Sequence, residues 1–406
     1  MSTRAKRGKN GKNGRNGGGR QSTTRSSSST APRRAARHGN GHKAKVRYAV
    51  VGLGYISQIA VLPAFAHAKG NSELVALVSG NDRKLRELSK KYKVPLTYNY
   101  DDLDRCLRSG DIDAVYIALP NDLHAEYTIR AARAGVHVLC EKPMAVTEAE
   151  CREMIAACDD NDVKLMIAYR LHFEAATLEA IEAVRSGKIG KVRAFNSLFS
   201  MQVKEPNIRL EPNGGGTLYD IGIYCINAVR ALFGAEPEEV FATSVQGTDP
   251  RFEEVDEMTS AVLRFPGDRL ATFTSSFGAS DVSTYTVLGT KGSLCVDSAY
   301  ELAEGLSHYL TIDGRTRTRQ FSKRDQFGPE LFYFSSCIQE DREPEPGGQE
   351  GLNDVRIIRA LYSSARRGEP LELEPLDPVQ RPTRQQRIDR PPVRERELVE
   401  AQAPSE

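Results

Sequence analysis

The chain has 406 residues, 27% of them charged and 39% hydrophobic, which is typical of a soluble globular protein and excludes a fibrous or wholly disordered one. It contains no apolar run of the roughly 18 residues that a membrane-spanning helix needs, so we expect no membrane partner. The net charge of +2 hides an asymmetry, because residues 1–45 carry 13 Lys and Arg and no acid, whereas the remaining 361 residues carry 43 basic and 54 acidic side chains.

The basic segment 1–45 is mainly Gly, Asn, Ser, Arg and Lys, and it offers almost nothing to bury before Val46. A segment of this composition cannot offset its own chain entropy, so we predict a disordered tail. The pair Arg33-Arg34 also occurs in export signals, but no apolar stretch follows it here. We therefore expect a cytoplasmic protein, and we interpret the basic charge as solubilising rather than as a nucleic-acid site.

The seven cysteines form no C-x-x-C pair, and no Cys/His cluster has the spacing of a zinc site. Their number is odd, and most of them have apolar neighbours. We interpret them as reduced, mostly buried thiols, and we predict no metal site.

Short apolar runs alternate with helical patterns between residues 46 and 170, which predicts a doubly wound parallel sheet of the Rossmann type. Thr147 and Glu150 match a capping box at the start of one of the helices. We therefore assign 46–170 to an NAD(P)-binding domain of an α/β protein. The predicted strands are 46–51, 74–78, 114–119, 136–140 and 164–168, and the predicted helices are 82–92, 123–134 and 147–159.

The first predicted strand leads into a G-x-G-x-x-small turn that is followed by a helical pattern. In this context the glycines allow a tight turn and a close approach of the backbone to a pyrophosphate. The N–H groups of the helix then face the phosphates. We assign to cofactor binding the turn residues Gly52, Leu53, Gly54, Tyr55 and Ile56.

The end of the second strand indicates which dinucleotide binds. An NAD site usually has an acid there, about 20 residues past the glycines, that holds the ribose 2′-hydroxyl. This chain instead has Ser79, with Arg83 and Lys84 close behind it. These three side chains suit a 2′-phosphate better than a 2′-hydroxyl, so we predict NADP, with NAD as the alternative.

Three further strands lead into polar loops at the sheet edge where open α/β sheets bind ligands. Strand 114–119 leads to a Pro-Asn loop, strand 136–140 to a Glu-Lys-Pro loop, and strand 164–168 to a segment that ends at His172. From these loops we assign to cofactor binding Leu119, Pro120, Asn121, His124, Glu141, Lys142 and Arg170.

The second half, 171–370, is rich in strand patterns and predicts an α/β domain with a large sheet. Because the edges of such a sheet need cover, we expect a homodimer or homotetramer. We predict that 371–406, which is rich in Pro, Arg and Glu, forms an extended arm rather than a domain. The predicted strands are 192–199, 240–245, 258–265, 270–277 and 283–288, and a helix is predicted at 353–367.

The candidate chemistry lies in a predicted helix, 218–233, that follows three glycines at 214–216. Asp220 and Tyr224 are four residues apart and so share one face of this helix. Hydride transfer from an alcohol needs a group that exchanges the hydroxyl proton, and a tyrosine, with an ordinary pKa of about 10, does this poorly unaided. A nearby lysine cation stabilises the phenolate, so we predict that Lys142, Asp220 and Tyr224 are catalytic. In isolation, an Asp-Tyr pair is more often a helix cap with a half-buried aromatic.

Three motifs together resemble the glucose–fructose oxidoreductase/inositol dehydrogenase (Gfo/Idh/MocA) family: Gly52-Leu53-Gly54, Leu119-Pro120-Asn121-Asp122-Leu123-His124 and Glu141-Lys142-Pro143. Segments 76–81, 214–216 and 220–224 extend the resemblance, which covers roughly 46–370. It implies a Rossmann domain followed by an α/β domain whose large, mostly antiparallel sheet mediates oligomers. Many members have histidine where Tyr224 stands, and tyrosine is typical of the branch that holds NADP tightly. The implied substrate contacts are Lys142, Tyr169, Arg209, Asp220 and Tyr224.

The leading interpretation is an NADP-dependent oxidoreductase that transfers a hydride between a sugar or polyol and nicotinamide. Its small-molecule partner is then a sugar, and the cofactor stays bound and is reoxidised by a second sugar. One alternative is an NAD-dependent glycosidase, which uses the same transient oxidation to ease elimination. The other alternative is a nucleotide-sensing regulator without turnover. The presence of all three candidate catalytic residues, Lys142, Asp220 and Tyr224, disfavours it.

We predict that deleting residues 1–40 leaves the melting temperature and the turnover nearly unchanged, because the tail buries little. Thermal unfolding and a turnover assay of the full and shortened chains check this. Loss of folding or of cofactor binding in the shortened chain would contradict it.

Overall fold

The described residues fold around two β-sheets. The structure, a computed structural model, describes residues 44–405 apart from 378, 395 and 396, so residues 1–43 of the predicted disordered tail lie outside the described residues. No helix among the described residues is both long and apolar enough to cross a membrane.

The first sheet has six parallel strands in the order β3-β2-β1-β4-β5-β6, which confirms the predicted doubly wound Rossmann arrangement. The predicted capping box at Thr147 is also present. The strands are β1 (Val46–Val51), β2 (Ser72–Val78), β3 (Leu96–Tyr98), β4 (Ala114–Ile117), β5 (His137–Glu141) and β6 (Leu165–Ala168). The helices are α1 (Leu62–Ala64, continuing the π-helical turn Ser57–Val61), α2 (Asp82–Tyr92), α3 (Leu103–Arg108), α4 (His124–Arg133) and α5 (Glu148–Asp160).

The second sheet has nine strands in the order β14-β13-β12-β11-β7-β10-β9-β8-β15, and every neighbouring pair is antiparallel except β7 with β10. The prediction of a large, mostly antiparallel sheet is therefore confirmed. Its strands are β7 (Val192–Ser200), β8 (Glu239–Val245), β9 (Met258–Phe265), β10 (Arg269–Ser276), β11 (Val282–Gly289), β12 (Gly292–Asp297), β13 (Ser307–Ile312), β14 (Arg315–Gln320) and β15 (Leu371–Glu372). The helices that follow α5 in the chain are α6 (Ala175–Arg185), α7 (Ile223–Phe233, continuing the π-helical turn Leu218–Gly222), α8 (Phe327–Glu340) and α9 (Gly348–Arg367).

Two late helices pack against the first sheet, and one of them also joins it to the second. Helix α9 packs on β8 of the second sheet and on α5 and β6 of the first. Helix α8 packs on β1 and β2, where the Ser335 hydroxyl is 2.8 Å from the Tyr48 hydroxyl and 2.7 Å from that of Ser72. A parallel sheet must be covered on both faces, and α8 provides part of that cover although it lies far along the chain. The division of the chain at 170/171 and the oligomeric state stay predictions.

Helix α7 is anchored by a buried arginine. The Arg230 guanidinium is fully buried and pairs with Glu350 (3.0 Å) and with Asp354 and Glu236 (2.5 and 2.6 Å). Burial raises the pKa of Asp354, and the charge of Arg230 opposes this shift. Because α7 and α9 carry opposite charges here, the ion pairs fix α7 against the helix that joins the two sheets.

We predict that Arg230→Met lowers the free energy of unfolding by about 3–5 kcal/mol, because the buried Asp354 loses its cation. Arg381 still pairs with Glu236 and Glu350. Urea unfolding followed by circular dichroism measures the change. The control is Arg264→Met, which removes a half-exposed arginine paired with Glu238 and Glu239 and should leave the free energy of unfolding nearly unchanged. Equal effects of the two substitutions would show that the Arg230 ion pairs do not stabilise α7.

Candidate active site

The glycine turn after β1 fits a dinucleotide. Gly52 has a φ of 94°, and a Cβ added there would lie 2.2 Å from the Ala118 carbonyl oxygen, so this position requires glycine. The Ser57 hydroxyl holds the turn by donating to the Gly52 carbonyl at 2.7 Å. A Cβ added at Gly54 would meet no atom within 4 Å. Open space in front of Gly54 and a helix that begins at Tyr55 form the arrangement that receives a pyrophosphate.

The three side chains predicted to hold a 2′-phosphate lie together after β2. Asn81 caps α2, since its Oδ1 accepts from the Lys84 N–H at 3.0 Å. Ser79 is buried, whereas Arg83 is exposed and pairs with Glu87 and, at 3.2 Å, with Glu400 of the C-terminal arm. Burial lowers the pKa of Lys84. A carboxylate from the far end of the chain already lies at this edge, and the predicted contact of the three side chains with a 2′-phosphate stays a prediction.

The loops after β4 and β5 are fixed by His124. Its ring is fully buried, with Nδ1 2.8 Å from the Pro143 carbonyl oxygen and Nε2 3.0 Å from that of Leu119. Burial lowers the pKa of this histidine. His124 thus joins the two loops behind the cleft, and its predicted contact with the cofactor stays a prediction. Asn121 joins the first loop to the second half of the chain by donating to the Gly214 carbonyl at 2.6 Å.

Two other predicted cofactor residues point in different directions. The Glu141 carboxylate is buried and accepts from the Tyr116 hydroxyl at 2.8 Å, and burial raises its pKa. Arg170 instead reaches the second half, where its Nε donates to the Tyr224 hydroxyl at 3.2 Å. The assignment of Arg170 to the cofactor did not include this contact with the candidate catalytic tyrosine.

Lys142 and Asp220 form a largely buried ion pair. The Lys142 ammonium donates to the Asp220 carbonyl at 3.0 Å and to its Oδ1 at 3.4 Å. Burial by itself lowers the pKa of Lys142, but the charges of Tyr224 and Asp220 outweigh it, and the net pKa is raised. Lys142 is therefore a cation at neutral pH.

Arg209 binds the other oxygen of the same carboxylate, with Nε 2.5 Å from Asp220 Oδ2. Burial raises the pKa of Asp220, yet Arg209 and Lys142 lower it further, so the net shift is downward. Both carboxylate oxygens are engaged by cations. In this geometry Asp220 holds Lys142 and Arg209 in place, and its predicted contact with a sugar stays a prediction.

Tyr224 lies between two cations. The Lys142 ammonium is 4.9 Å from the centroid of the tyrosine ring, and the Arg170 guanidinium carbon is 5.0 Å from it. Both distances are within the range of a cation–π interaction. Arg170 is held in turn by the carbonyl of Tyr300 and the side chain of Gln326. Arg170 thus contacts the hydroxyl directly, whereas Lys142 lies over the ring.

A cavity opens beside Tyr224 and is lined by Lys142, Tyr169, His172 and Asn227 together with apolar and aromatic side chains. The Tyr169 hydroxyl donates to Asp354 at 2.7 Å. His172 lies between Asn227 Oδ1 (2.8 Å) and Glu345 (2.9 Å). These contacts join the cavity to the buried charges around Arg230. The sequence pattern placed His172 near the site but could not show its partners, one of which is 173 residues away.

Comparison with known proteins identifies the relatives of this chain. Residues 46–169 match the model of the oxidoreductase family with an NAD-binding Rossmann fold, and residues 177–295 match the GFO/IDH/MocA C-terminal domain. A D-xylose 1-dehydrogenase [NADP(+)] of Haloarcula marismortui is 33% identical over 79% of this chain and 91% of its own length. A dTDP-3,4-didehydro-2,6-dideoxy-alpha-D-glucose 3-reductase of Streptomyces violaceoruber is 32% identical over 76% and 90%.

Among solved structures, an aldose-aldose oxidoreductase from Caulobacter crescentus, crystallised with glycerol, is similar in fold and sequence. It has a TM-score of 0.78 and 40% identity, and the match covers 81% of this chain and all of that one. The two family models together span most of both sheets, and the relatives align over nearly their full lengths. The chain therefore belongs to the Gfo/Idh/MocA family of oxidoreductases.

Proposed function

We propose that this protein is an NADP-dependent oxidoreductase that transfers a hydride between a sugar or polyol and nicotinamide. The observation that carries the proposal is Tyr224 at the carboxyl edge of a Rossmann sheet, with its hydroxyl bonded to Arg170 and its ring against Lys142. The xylose dehydrogenase and the aldose-aldose oxidoreductase among its relatives support a sugar as substrate. Glucose–fructose oxidoreductase is the pattern we propose for its cycle, with the cofactor retained and reoxidised by a second sugar.

The residues of the cleft divide the chemistry between them. A bound nicotinamide dinucleotide would be held by the turn at 52–56 and by the loops after β2, β4 and β5, and it supplies the acceptor or donor of the hydride. Tyr224 takes the proton from the alcohol oxygen and returns it in the reverse direction. Lys142 and Arg170 stabilise the phenolate, while Asp220 fixes Lys142 and Arg209. His172 and Asn227 line the cavity, and their polar atoms bond to each other and to buried carboxylates.

The first test uses a panel of sugars and polyols. Cofactor absorbance is followed for each compound with purified protein, and any dinucleotide retained through purification is identified. Reduction of NADP by an aldose supports the proposal. Cleavage of aryl glycosides without net reduction would favour the glycosidase, and binding without turnover would favour the regulator.

We predict that Tyr224→Phe lowers turnover about 10²–10⁴-fold, the usual contribution of proton-transfer catalysis, while the affinity for the cofactor persists. The substitution keeps the ring between its two cations and removes only the hydroxyl. Single-turnover hydride transfer and dinucleotide titration measure the two effects separately.

The control is Tyr309→Phe, which removes an exposed hydroxyl from β13 and should leave both quantities unchanged. A Tyr224→Phe protein within about threefold of the normal rate, in an assay limited by hydride transfer, would show that the tyrosine is only a packing residue.

We predict that Arg83→Ala weakens NADP(H) binding about 10–100-fold and changes NAD(H) binding little, because the guanidinium would contact only the 2′-phosphate. Isothermal titration with both dinucleotides checks this. Arg86→Ala removes an equal charge from an exposed position in the same helix and serves as the control. Equal losses for both dinucleotides in Arg83→Ala would contradict an NADP site at this edge.

A further inference from the structure

The C-terminal arm, 371–406, returns to the first strand-helix unit and is fastened there. The Gln58 side chain is buried and pairs with both backbone groups of Val399, accepting from its N–H at 2.8 Å and donating to its carbonyl at 2.9 Å. The Lys91 ammonium donates to the Glu397 carbonyl at 2.6 Å. Val399 itself is buried. Gln58 lies in the helical segment that follows the glycine turn, so the arm is attached beside the predicted cofactor site.

This attachment fixes the next residue, Glu400. Its Oε2 accepts from Asn81 Nδ2 at 2.7 Å, and its Oε1 pairs with Arg83 at 3.2 Å. The hydrogen bond from Asn81 and those from Arg83 lower the pKa of Glu400. Glu400 has a φ of 45°, a left-handed conformation that is uncommon for a residue other than glycine. The anchored backbone therefore holds an ionised carboxylate against the residues that follow β2.

The position of this carboxylate is the one that distinguishes dinucleotides in a Rossmann fold. An acid at the end of β2 accepts from the ribose 2′-hydroxyl of NAD, and cations there bind the 2′-phosphate of NADP. This chain has Ser79 where the acid is usual, and Arg83 is available as the cation. Glu400 brings an acid to the same edge from 317 residues along the chain. A 2′-phosphate and the Glu400 carboxylate would need the same guanidinium donors.

We propose that Glu400 is a specificity-determining residue that weakens NADP(H) binding relative to NAD(H). NADP(H) must displace the carboxylate from Arg83 and Asn81, whereas NAD(H) leaves it in place as an acceptor for the 2′-hydroxyl. The arm continues from Glu400 to the second half of the chain, where the Lys204 N–H donates to the Pro404 carbonyl at 2.9 Å. Glu400 therefore lies in a segment that is hydrogen-bonded on both sides of it, at Val399 and at Pro404. Displacing Glu400 must distort this segment, which adds to the free-energy cost of binding the phosphate.

This inference rests on the proposed dinucleotide-binding function, and the test separates the two. Dissociation constants for NADP⁺ and NAD⁺ are measured by titration calorimetry on the full chain, on Glu400→Gln and on the control Glu374→Gln. Glu374 is an exposed acid near the start of the same arm, beside β15. The variant Arg83→Ala and the double variant Arg83→Ala/Glu400→Gln complete a cycle.

Glu400→Gln should tighten NADP⁺ binding about three- to tenfold, the scale of an ion pair with one charge-assisted hydrogen bond. It should not tighten NAD⁺ binding, and Glu374→Gln should change neither. The gain should vanish in the Arg83→Ala background, because the freed guanidinium is its source.

Three results would overturn the proposal. If Glu400→Gln leaves the ratio of the two affinities unchanged, the carboxylate does not discriminate. If it weakens both dinucleotides alike, Glu400 only anchors the arm. In both cases NADP⁺ binding by the unaltered chain leaves the proposed function standing. If the unaltered chain binds neither dinucleotide, the proposed function fails and the role of Glu400 fails with it.

Discussion

The burial of two cations beside one tyrosine is the constraint on which the rest of the site depends. Lys142 and Arg170 both lose water in the cleft, and each must recover hydrogen bonds from the protein. Lys142 recovers them from the carbonyl and carboxylate of Asp220, and Arg170 from Tyr300 and Gln326. Both cations also lie against Tyr224, with Arg170 on its hydroxyl and Lys142 over its ring.

The two sheets supply these groups from opposite sides. Lys142 follows β5 and Arg170 follows β6, so both come from the carboxyl edge of the parallel sheet. Tyr224 lies in α7, which is fixed by the buried ion pairs of Arg230 with α9. Since α9 also packs on β6 and α5, the same helix that holds α7 also contacts the sheet that carries the cations. The positioning of the tyrosine therefore depends on packing well outside the cleft.

The local sequence predicted an element correctly where the interactions that form the element are between residues close in the chain. Strand 46–51 and helix 82–92 were predicted with the bounds that the structure has, because the first is a continuous apolar run and the second has a capping residue, Asn81. Helix α8 was not predicted, and its place on β1 and β2 depends on contacts between residues more than 250 positions apart. The glycine turn and the pairing of Lys142 with the 220–224 helix were predictable from motifs and from the family resemblance.

The site contacts that the sequence did not predict join residues that are distant in the chain. Arg170 lies 54 residues from Tyr224 and 156 from Gln326, so no spacing rule places its guanidinium on the tyrosine. Asp220 matched the expected pattern, but its two ion pairs are visible only in three dimensions. The contact of Glu400 with Arg83 is the extreme case, because composition alone indicated no more than an extended arm.

The central claim is that Tyr224 and Lys142 act on a single proton. The most direct measurement is the single-turnover rate of hydride transfer in Tyr224→Phe, Lys142→Ala and the double variant. If both residues serve one proton, the double variant should be about as slow as Tyr224→Phe alone. If the two losses instead multiply in the double variant, the residues act independently, and the account of a cation-stabilised tyrosine is wrong.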